Sequence, residues 1–71
     1  MTREERMQIL KSRIAKEGFS QEKMARKMGL TRNGLIKKLT GESEFWVDEV
    51  ALLTELLNLT REEEDAIFFG R

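Results

Sequence analysis

The chain has 71 residues, of which 39% are hydrophobic, and its 13 Lys and Arg balance its 13 Asp and Glu to a formal net charge of zero. A chain of this length is expected to form one domain with a small core, and because it contains no Cys and no His, disulfide staples, zinc fingers and imidazole catalysts are excluded. It has no apolar run of about 18 residues and no apolar signal-peptide region at its start, so we expect a cytoplasmic protein without a membrane segment.

The first predicted helix begins at a capping box at residues 2–5, "TREE". There the Thr2 hydroxyl can accept from an amide of the first turn while Glu5 reaches back to the Thr2 N–H. One apolar stripe with spacings of three and four follows the helix and consists of Met7, Leu10 and Ile14. Gly18 supplies a left-handed stop.

Two short helices are predicted next, and each starts at a hydroxyl cap. Ser20 caps the second helix, which ends at Gly29 and whose inner face consists of Met24, Ala25 and Met28. Thr31 caps the third helix, which closes at Gly41 and whose apolar positions are Leu35, Ile36 and Leu39. An apolar residue precedes each cap and can pack on the fourth helical position, which predicts two hydrophobic staples, Phe19 with Met24 and Leu30 with Leu35.

The dipeptide Asn33-Gly34 raises an alternative for the third helix, because Asn-Gly between apolar runs is a strong signal for a two-residue β-hairpin. A hairpin needs alternating polar and apolar residues on both sides, whereas "MARKMGL" and "LIKKLTG" fit a helical period better. The sequence therefore predicts a helix that contains a glycine, although Gly in a helix costs about 1 kcal/mol relative to Ala.

After a polar loop at residues 42–44, Phe45 and Trp46 lead into the most hydrophobic predicted helix, the expected buried spine of the core. Its apolar positions are Val47, Val50, Leu53, Leu56 and Leu57, and Trp46 is expected to be partly buried. A second capping box at residues 60–63 starts the last helix, which carries Ala66, Ile67, Phe68 and Phe69 before Gly70. Residues 1–71 are therefore predicted to form a compact all-α bundle of five helices.

The zero net charge conceals an uneven distribution along the chain. Residues 1–41 hold 11 Lys or Arg and 4 Asp or Glu, a balance of +7, whereas residues 42–71 hold 2 and 9, a balance of −7. Such asymmetry indicates that one half of a chain meets a polyanion.

The stretch "SQEKMARKMGLTRNGLIKKLTGESEF" resembles the helix-turn-helix of the Cro and lambdoid-repressor type, also called the XRE family. The residues that carry the resemblance are Ser20, Gln21, Ala25, Gly29, Leu30, Thr31, Leu35 and Gly41. The match covers residues 19–41 well, and the whole chain is most similar to small Cro-like regulators of phages and prophages. The resemblance implies one lambda-repressor-like DNA-binding domain at 1–71 and a sequence-specific transcriptional regulator, expected to be a repressor, that needs no cofactor.

In the architecture that the resemblance implies, the helix at 32–39 enters the major groove with its N-terminus first. The residues that would then touch base edges are Arg32, Asn33, Gly34 and Lys37. Arg matches the two acceptors of guanine, Asn matches adenine, and Lys reaches guanine or a phosphate. At Gly34 the missing side chain would let the backbone approach DNA closely, and the alternative is a glycine that is merely tolerated on an exposed helix.

The same resemblance assigns the expected phosphate contacts to Gln21, Lys38, Thr40 and Ser43. For Gln21 the alternative is a good helix former in a first turn. Five further cations enlarge the positive half without a definite contact, namely Arg13, Lys16, Lys23, Arg26 and Lys27. We expect each one alone to be a solvated charge rather than a DNA contact, whereas together they bias the field toward phosphate.

A second subunit is expected at least on DNA, because two such helices about 34 Å apart would read a palindromic operator on double-stranded DNA. Phe68 and Phe69 point about 100° apart on a helix, so one is expected in the core and the other is a candidate dimer contact. Trp46 is a further candidate. Burial of both phenylalanine rings in the core is the alternative.

Two other functions stay open from the sequence. One is a protein-interaction module, such as an antitoxin or anti-repressor, that docks through residues 62–65 and the two phenylalanines. The other is an enzyme or a carboxylate metal site in residues 62–65. Capping and the helix dipole already explain those carboxylates, so we expect neither catalysis nor a bound metal.

Overall fold

The computed structural model describes all 71 residues and contains helices and turns but no strand. The five helices, numbered α1 to α5 in chain order, span Arg3–Lys16, Gln21–Lys27, Arg32–Leu39, Val47–Leu56 and Arg61–Glu64. The predicted all-α class is confirmed, and Asn33-Gly34 lies inside α3 rather than in a hairpin. None of the helices has both the length and the apolar composition that a membrane span requires.

Side-chain caps start the helices where the sequence predicts them. The hydroxyls of Thr2, Ser20, Thr31 and Thr60 each accept the N–H of the residue three positions later, at 3.0 or 3.1 Å. Both predicted capping boxes are complete, because Glu5 and Glu63 accept the N–H groups of Thr2 and Thr60 at 2.7 and 2.8 Å. These bonds satisfy amides that the first turn of a helix leaves without partners.

One hydrophobic cluster of 11 buried residues joins α1 to α4 with the segments on either side of α5, and it consists of Met7, Leu10, Ile14, Met24, Ala25, Leu35, Leu39, Leu53, Leu57, Leu59 and Ile67. The two residues that precede the caps of α2 and α3, Phe19 and Leu30, are half-buried and pack against this cluster, as staple residues do. The prediction that α4 is buried is wrong for the first residue of the helix. Leu53 and Leu57 are fully buried, but Val47 is 84% exposed.

The position of Val47 follows from helical geometry. It stands six residues before Leu53, which places the two side chains about 120° apart around the helix. With Leu53 directed into the core, Val47 therefore lies outside the buried face of α4. Hydrophobic composition alone does not separate these two positions.

Helix α5 passes directly into one turn of π-helix, Asp65–Phe69, which the sequence did not predict. Gly70 ends this turn in the left-handed conformation, with φ of 67°, and its N–H donates to the Asp65 carbonyl. On α1, Arg6 donates to the Ile67 carbonyl at 3.2 Å and so ties the π-turn to the first helix. Phe68 packs edge-to-face on Phe45, with ring centroids 5.7 Å apart.

Ion pairs and charged hydrogen bonds join the basic and acidic halves of the chain. Arg13 binds Glu63 and donates to the carbonyls of Leu57 and Asn58 at 3.2 and 3.4 Å. The Thr60 N–H, together with Arg13, holds the pKa of Glu63 below its ordinary value. Part of the charge asymmetry that the sequence analysis attributes to a polyanion thus holds the fold together.

Candidate nucleic-acid interface

Helices α2 and α3 are joined by a tight turn at residues 28–31. Gly29 takes a φ of 72°, and its N–H donates to the Arg26 carbonyl at 3.1 Å. The Leu30 N–H then reaches back to the Ala25 carbonyl at 2.8 Å, which completes the glycine-based helix ending known as a Schellman motif. Because Thr31 caps α3 immediately afterward, the two helices follow one another with a fixed change of direction.

The outer face of α3 presents three polar side chains that the fold does not use. Arg32, Asn33 and Lys37 are all exposed, and none of their side chains makes a hydrogen bond or an ion pair within the chain. Leu35 and Leu39 hold the opposite face of α3 in the core. The three predicted base-contact side chains are therefore free to meet an external ligand.

Gly34 lies among these side chains and is half-buried, with a φ in the ordinary helical range. A Cβ here would stand 3.1 Å from the hydroxyl oxygen of Thr31, which is a tight contact. The equivalent position after the caps of α1, α2 and α5 is nevertheless occupied by Glu5, Lys23 and Glu63, which all carry side chains. Neither backbone conformation nor internal packing therefore requires a glycine at residue 34.

Lys38 contradicts its predicted role as a phosphate contact. It is buried, at 8% exposure, and its ammonium forms an ion pair with Glu49 at 2.9 Å. The same nitrogen donates to the Glu44 carbonyl at 2.9 Å and lies 5.5 Å from the centre of the Trp46 ring. With its charge neutralised inside the fold, Lys38 joins the end of α3 to the start of α4 and is not available to DNA.

The other three predicted phosphate contacts differ in whether their side chains already have a hydrogen-bond partner within the chain. Gln21 is half-buried at the start of α2, and Ser43 is half-buried in the loop after α3; neither side chain has a hydrogen-bond partner in the chain. The Thr40 hydroxyl donates to the Lys37 carbonyl at 3.1 Å, so its proton is already in use. Arg3 supports the loop from α1, because it donates to the Ser43 carbonyl at 3.4 Å and pairs with Glu44 at 2.6 Å.

Nine of the 11 cations of residues 1–41 fall into two groups, and the other two, Lys11 and Lys16, lie on α1 without an internal partner. Four side chains, the inner cations, donate to acidic groups or carbonyls of residues 42–71, and they are Arg3, Arg6, Arg13 and Lys38. Five exposed and unpaired side chains, the outer cations, lie on α2 and α3, and they are Lys23, Arg26, Lys27, Arg32 and Lys37. The predicted contribution of Arg13 to an external positive surface is therefore wrong, because Glu63 already neutralises it.

The three predicted dimer contacts are also distributed unevenly. Trp46 is 71% exposed, so the expectation of partial burial is wrong. Phe68 is half-buried against Phe45, whereas Phe69 is 53% exposed with the Arg71 guanidinium 5.8 Å from its ring centre. The expected division between an inward and an outward phenylalanine is observed. Val47, which was predicted to be buried, is exposed as well, and its position about 120° from Leu53 around α4 was the signal in the sequence for this exposure.

Comparison of the chain with protein-family models, with curated proteins and with solved structures finds no match. These comparisons therefore assign neither a family nor an activity. The features that bear on function are the free side chains of α3, the outer cations and the glycine that the fold does not require.

Proposed function

We propose that the chain is a sequence-specific DNA-binding regulator, acting as a repressor, whose α2 and α3 form a helix-turn-helix with α3 in the major groove. The observation that carries this proposal is Gly34 between the unpaired side chains of Arg32, Asn33 and Lys37. Glycine in a helix costs about 1 kcal/mol, and the equivalent positions of other helices in this chain carry side chains. Close approach of a ligand to the backbone would explain why α3 has a glycine here.

The chemistry of the α3 face matches base edges. The guanidinium of Arg32 can donate to both O6 and N7 of a guanine, and the amide of Asn33 can donate to N7 and accept from N6 of an adenine. Lys37 lies one helical turn after Asn33 and would reach a guanine or the adjacent phosphate. Gly34 would admit the edge of a base or a thymine methyl between them.

The outer cations supply the general attraction to the duplex. Lys23, Arg26 and Lys27 lie on α2 with no internal partner, so their charge is available to phosphate. The unpartnered side chains of Gln21 and Ser43 would position the helices on the two strands. Lys38 does not belong to this group, because its ammonium is buried and paired with Glu49.

The wider context of the proposal comes from the resemblance of residues 19–41 to the XRE family. By this resemblance, the chain would be a small Cro-like regulator of phage or prophage type that works in the cytoplasm and binds a palindromic operator as a homodimer.

The test is a selection of bound sequences from a random duplex pool, followed by titrations at several salt concentrations. We expect affinity to fall steeply with salt. Arg32→Ala and Asn33→Ala should each cost about 1 to 3 kcal/mol and relax the preference at one base pair, whereas Gln21→Ala should weaken all sequences alike. Arg61→Ala is the matched control, because Arg61 is an exposed arginine without a partner in the acidic half. Absence of duplex binding at low salt would refute the proposal.

The alternative of an antitoxin or anti-repressor loses part of its predicted docking face. Glu63 is bound by Arg13, Glu64 accepts the Thr54 hydroxyl at 2.6 Å, and Phe68 is packed on Phe45. Of that surface, Phe69 and Glu62 remain exposed. We therefore favour DNA as the partner of this chain.

A further inference from the structure

Lys11 belongs to neither the inner nor the outer cations, and the proposed DNA contacts do not use it. It stands on α1 in line with Arg3 and Met7, because residues four positions apart share one face of a helix. Lys11 is half-buried, and its ammonium makes no hydrogen bond or ion pair within the chain. No carboxylate stands three or four residues before or after it, so its neighbours on α1 do not neutralise its charge.

The side chain of Lys11 borders the end of α3. Lys11 lines one cleft together with Thr40 and Gly41, the two residues that follow the last residue of α3. Thr40 still has helical backbone angles, and it follows Asn33 by seven positions, which places the two about 20° apart around the helix axis. Both residues are exposed. Lys11 therefore lies at the edge of the outer face of α3, at the opposite end of that face from Arg32.

A phosphate at this end of α3 would find few free donors in the chain besides Lys11. The N–H groups of Thr40, Gly41 and Ser43 donate to carbonyls of α3 at 2.9, 3.3 and 3.1 Å. The Thr40 hydroxyl also donates within the chain, and the ammonium of Lys38 is held in a buried ion pair. The Ser43 hydroxyl is free but carries no charge, so Lys11 supplies the unpaired positive charge at this end of the helix.

The other charged groups of the cleft do not compete for Lys11. Glu5 is held in the capping box of α1, and Arg3 is paired with Glu44 at 2.6 Å. Glu4 is exposed, but it stands seven residues before Lys11, which is about 10 Å along the axis of α1. An anion beside Lys11 would therefore meet a free ammonium without an adjacent free carboxylate.

We infer that Lys11 binds a phosphate of the DNA backbone beside the end of α3, so that α1 contributes to the interface. The inference rests on the proposed function and adds a contact outside residues 19–41, the stretch that carries the resemblance. Lys11 provides the cation at the end of α3 that the sequence analysis expected from Lys38. Because a phosphate contact does not read the bases, the affinity should depend on Lys11 and the sequence preference should not.

The first test compares Lys11→Met with Lys16→Met in titrations of a duplex recovered from the random pool at several salt concentrations. Methionine keeps much of the aliphatic stem of a half-buried lysine. Lys16 is the matched control, because it is an unpaired lysine of the same helix that lies about 140° from Lys11 around the axis. Lys11→Met should lower the affinity about five- to tenfold at low salt and reduce the slope of log K against log salt by about 0.9. Lys16→Met should change the affinity by less than about twofold and leave the slope unchanged.

Neutral methylphosphonates, placed one at a time along both strands of the same duplex, locate the contact. In the wild type, neutralising a contacted phosphate should weaken binding. In Lys11→Met this loss should disappear at one phosphate or at two adjacent ones, whereas Lys16→Met should keep the wild-type pattern. Lys11→Arg keeps the charge and should bind within about twofold of the wild type. Helical circular dichroism should be the same in all the variants.

The outcomes separate this inference from the proposed function. Wild-type affinity and salt slope in Lys11→Met would overturn the inference and leave the function standing. Equal losses in Lys11→Met and Lys16→Met, with no phosphate whose effect depends on Lys11, would also overturn it, because the two lysines would then act only through the general positive field. Absence of duplex binding by the wild type would refute the function and this contact together.

Discussion

Arg13 and Arg32 are the same residue type in the same basic half of the chain, and the fold treats them in opposite ways. Arg13 is surrounded by acceptors from the acidic half, namely Glu63 and the carbonyls of Leu57 and Asn58. Arg32 projects from α3 without any partner. A charge imbalance along a chain can therefore serve internal ion pairing or attraction of an external partner, and only the contacts of each side chain distinguish the two.

The largest effect is expected from the inner cation that is most buried. Glu49→Ala removes both the counter-ion of Lys38 and the acceptor of the Trp46 N–H. Loss of one member of a buried ion pair leaves an uncompensated charge, so the free energy of unfolding should fall by about 3 kcal/mol. Urea denaturation followed by circular dichroism measures this. A change under about 0.5 kcal/mol would mean that Lys38 does not depend on its pair.

Arg13→Met tests the second inner cation and should cost about 2 kcal/mol of unfolding free energy, because it removes charged hydrogen bonds to two carbonyls at the end of α4. Methionine keeps much of the aliphatic stem and isolates the loss of the guanidinium. The matched control is Arg32→Met, which should lie within about 0.5 kcal/mol of the wild type. Equal losses in the two variants would contradict the division into inner and outer cations.

Gly34→Ala should separate stability from binding. A gain of about 0.5 to 1 kcal/mol in unfolding free energy is expected from helix propensity, reduced by any strain against the Thr31 hydroxyl. Binding to duplexes recovered from the random pool should weaken at the same time, because a methyl group would stand where the duplex approaches. Unchanged DNA affinity in the stabilised variant would remove the functional explanation of this glycine.

Lowering the pH should weaken the ion pairs that the inner cations make with Glu44 and Glu63, and it should not affect the unpaired outer cations. The pKa of Glu63 is held below its ordinary value by the Thr60 N–H and Arg13, and that of Glu44 is held below its ordinary value by Arg3. A lowered pKa in the folded state means that the stabilisation is complete above the unfolded pKa and is lost as the pH falls through the folded one. Urea denaturation from pH 6 to pH 2.5 should show the loss beginning near pH 4.5, with a shallower slope in Glu63→Gln.

Features that depend on neighbouring residues were predictable from the sequence. The caps at Thr2, Ser20, Thr31 and Thr60 need only a hydroxyl and an amide three residues later, and all four form. The stripe of α1 follows from its spacing. The assignment of Asn33-Gly34 to a helix was likewise decided by the local period.

Features that depend on distant partners were not predictable. Helical spacing places Lys38 closer than Lys37 to the buried Leu35 side of α3, but it does not reveal the partner that makes a buried ammonium possible, Glu49, which lies eleven residues further along the chain. The attachment of Arg13 to Glu63 spans 50 residues. Neither a capping rule nor a periodicity rule predicts the π-turn at Asp65–Phe69 or the exposure of Trp46.

The central claim is that the outer face of α3 contacts DNA, and amide chemical-shift mapping tests it most directly. Nitrogen-15-labelled protein is titrated with a duplex recovered from the random pool, and with a scrambled duplex as control. The largest shifts are expected at residues 32–37, with smaller ones at Gln21 and Ser43. Shifts confined to α1 and the π-turn, with α3 unchanged, would contradict the claim.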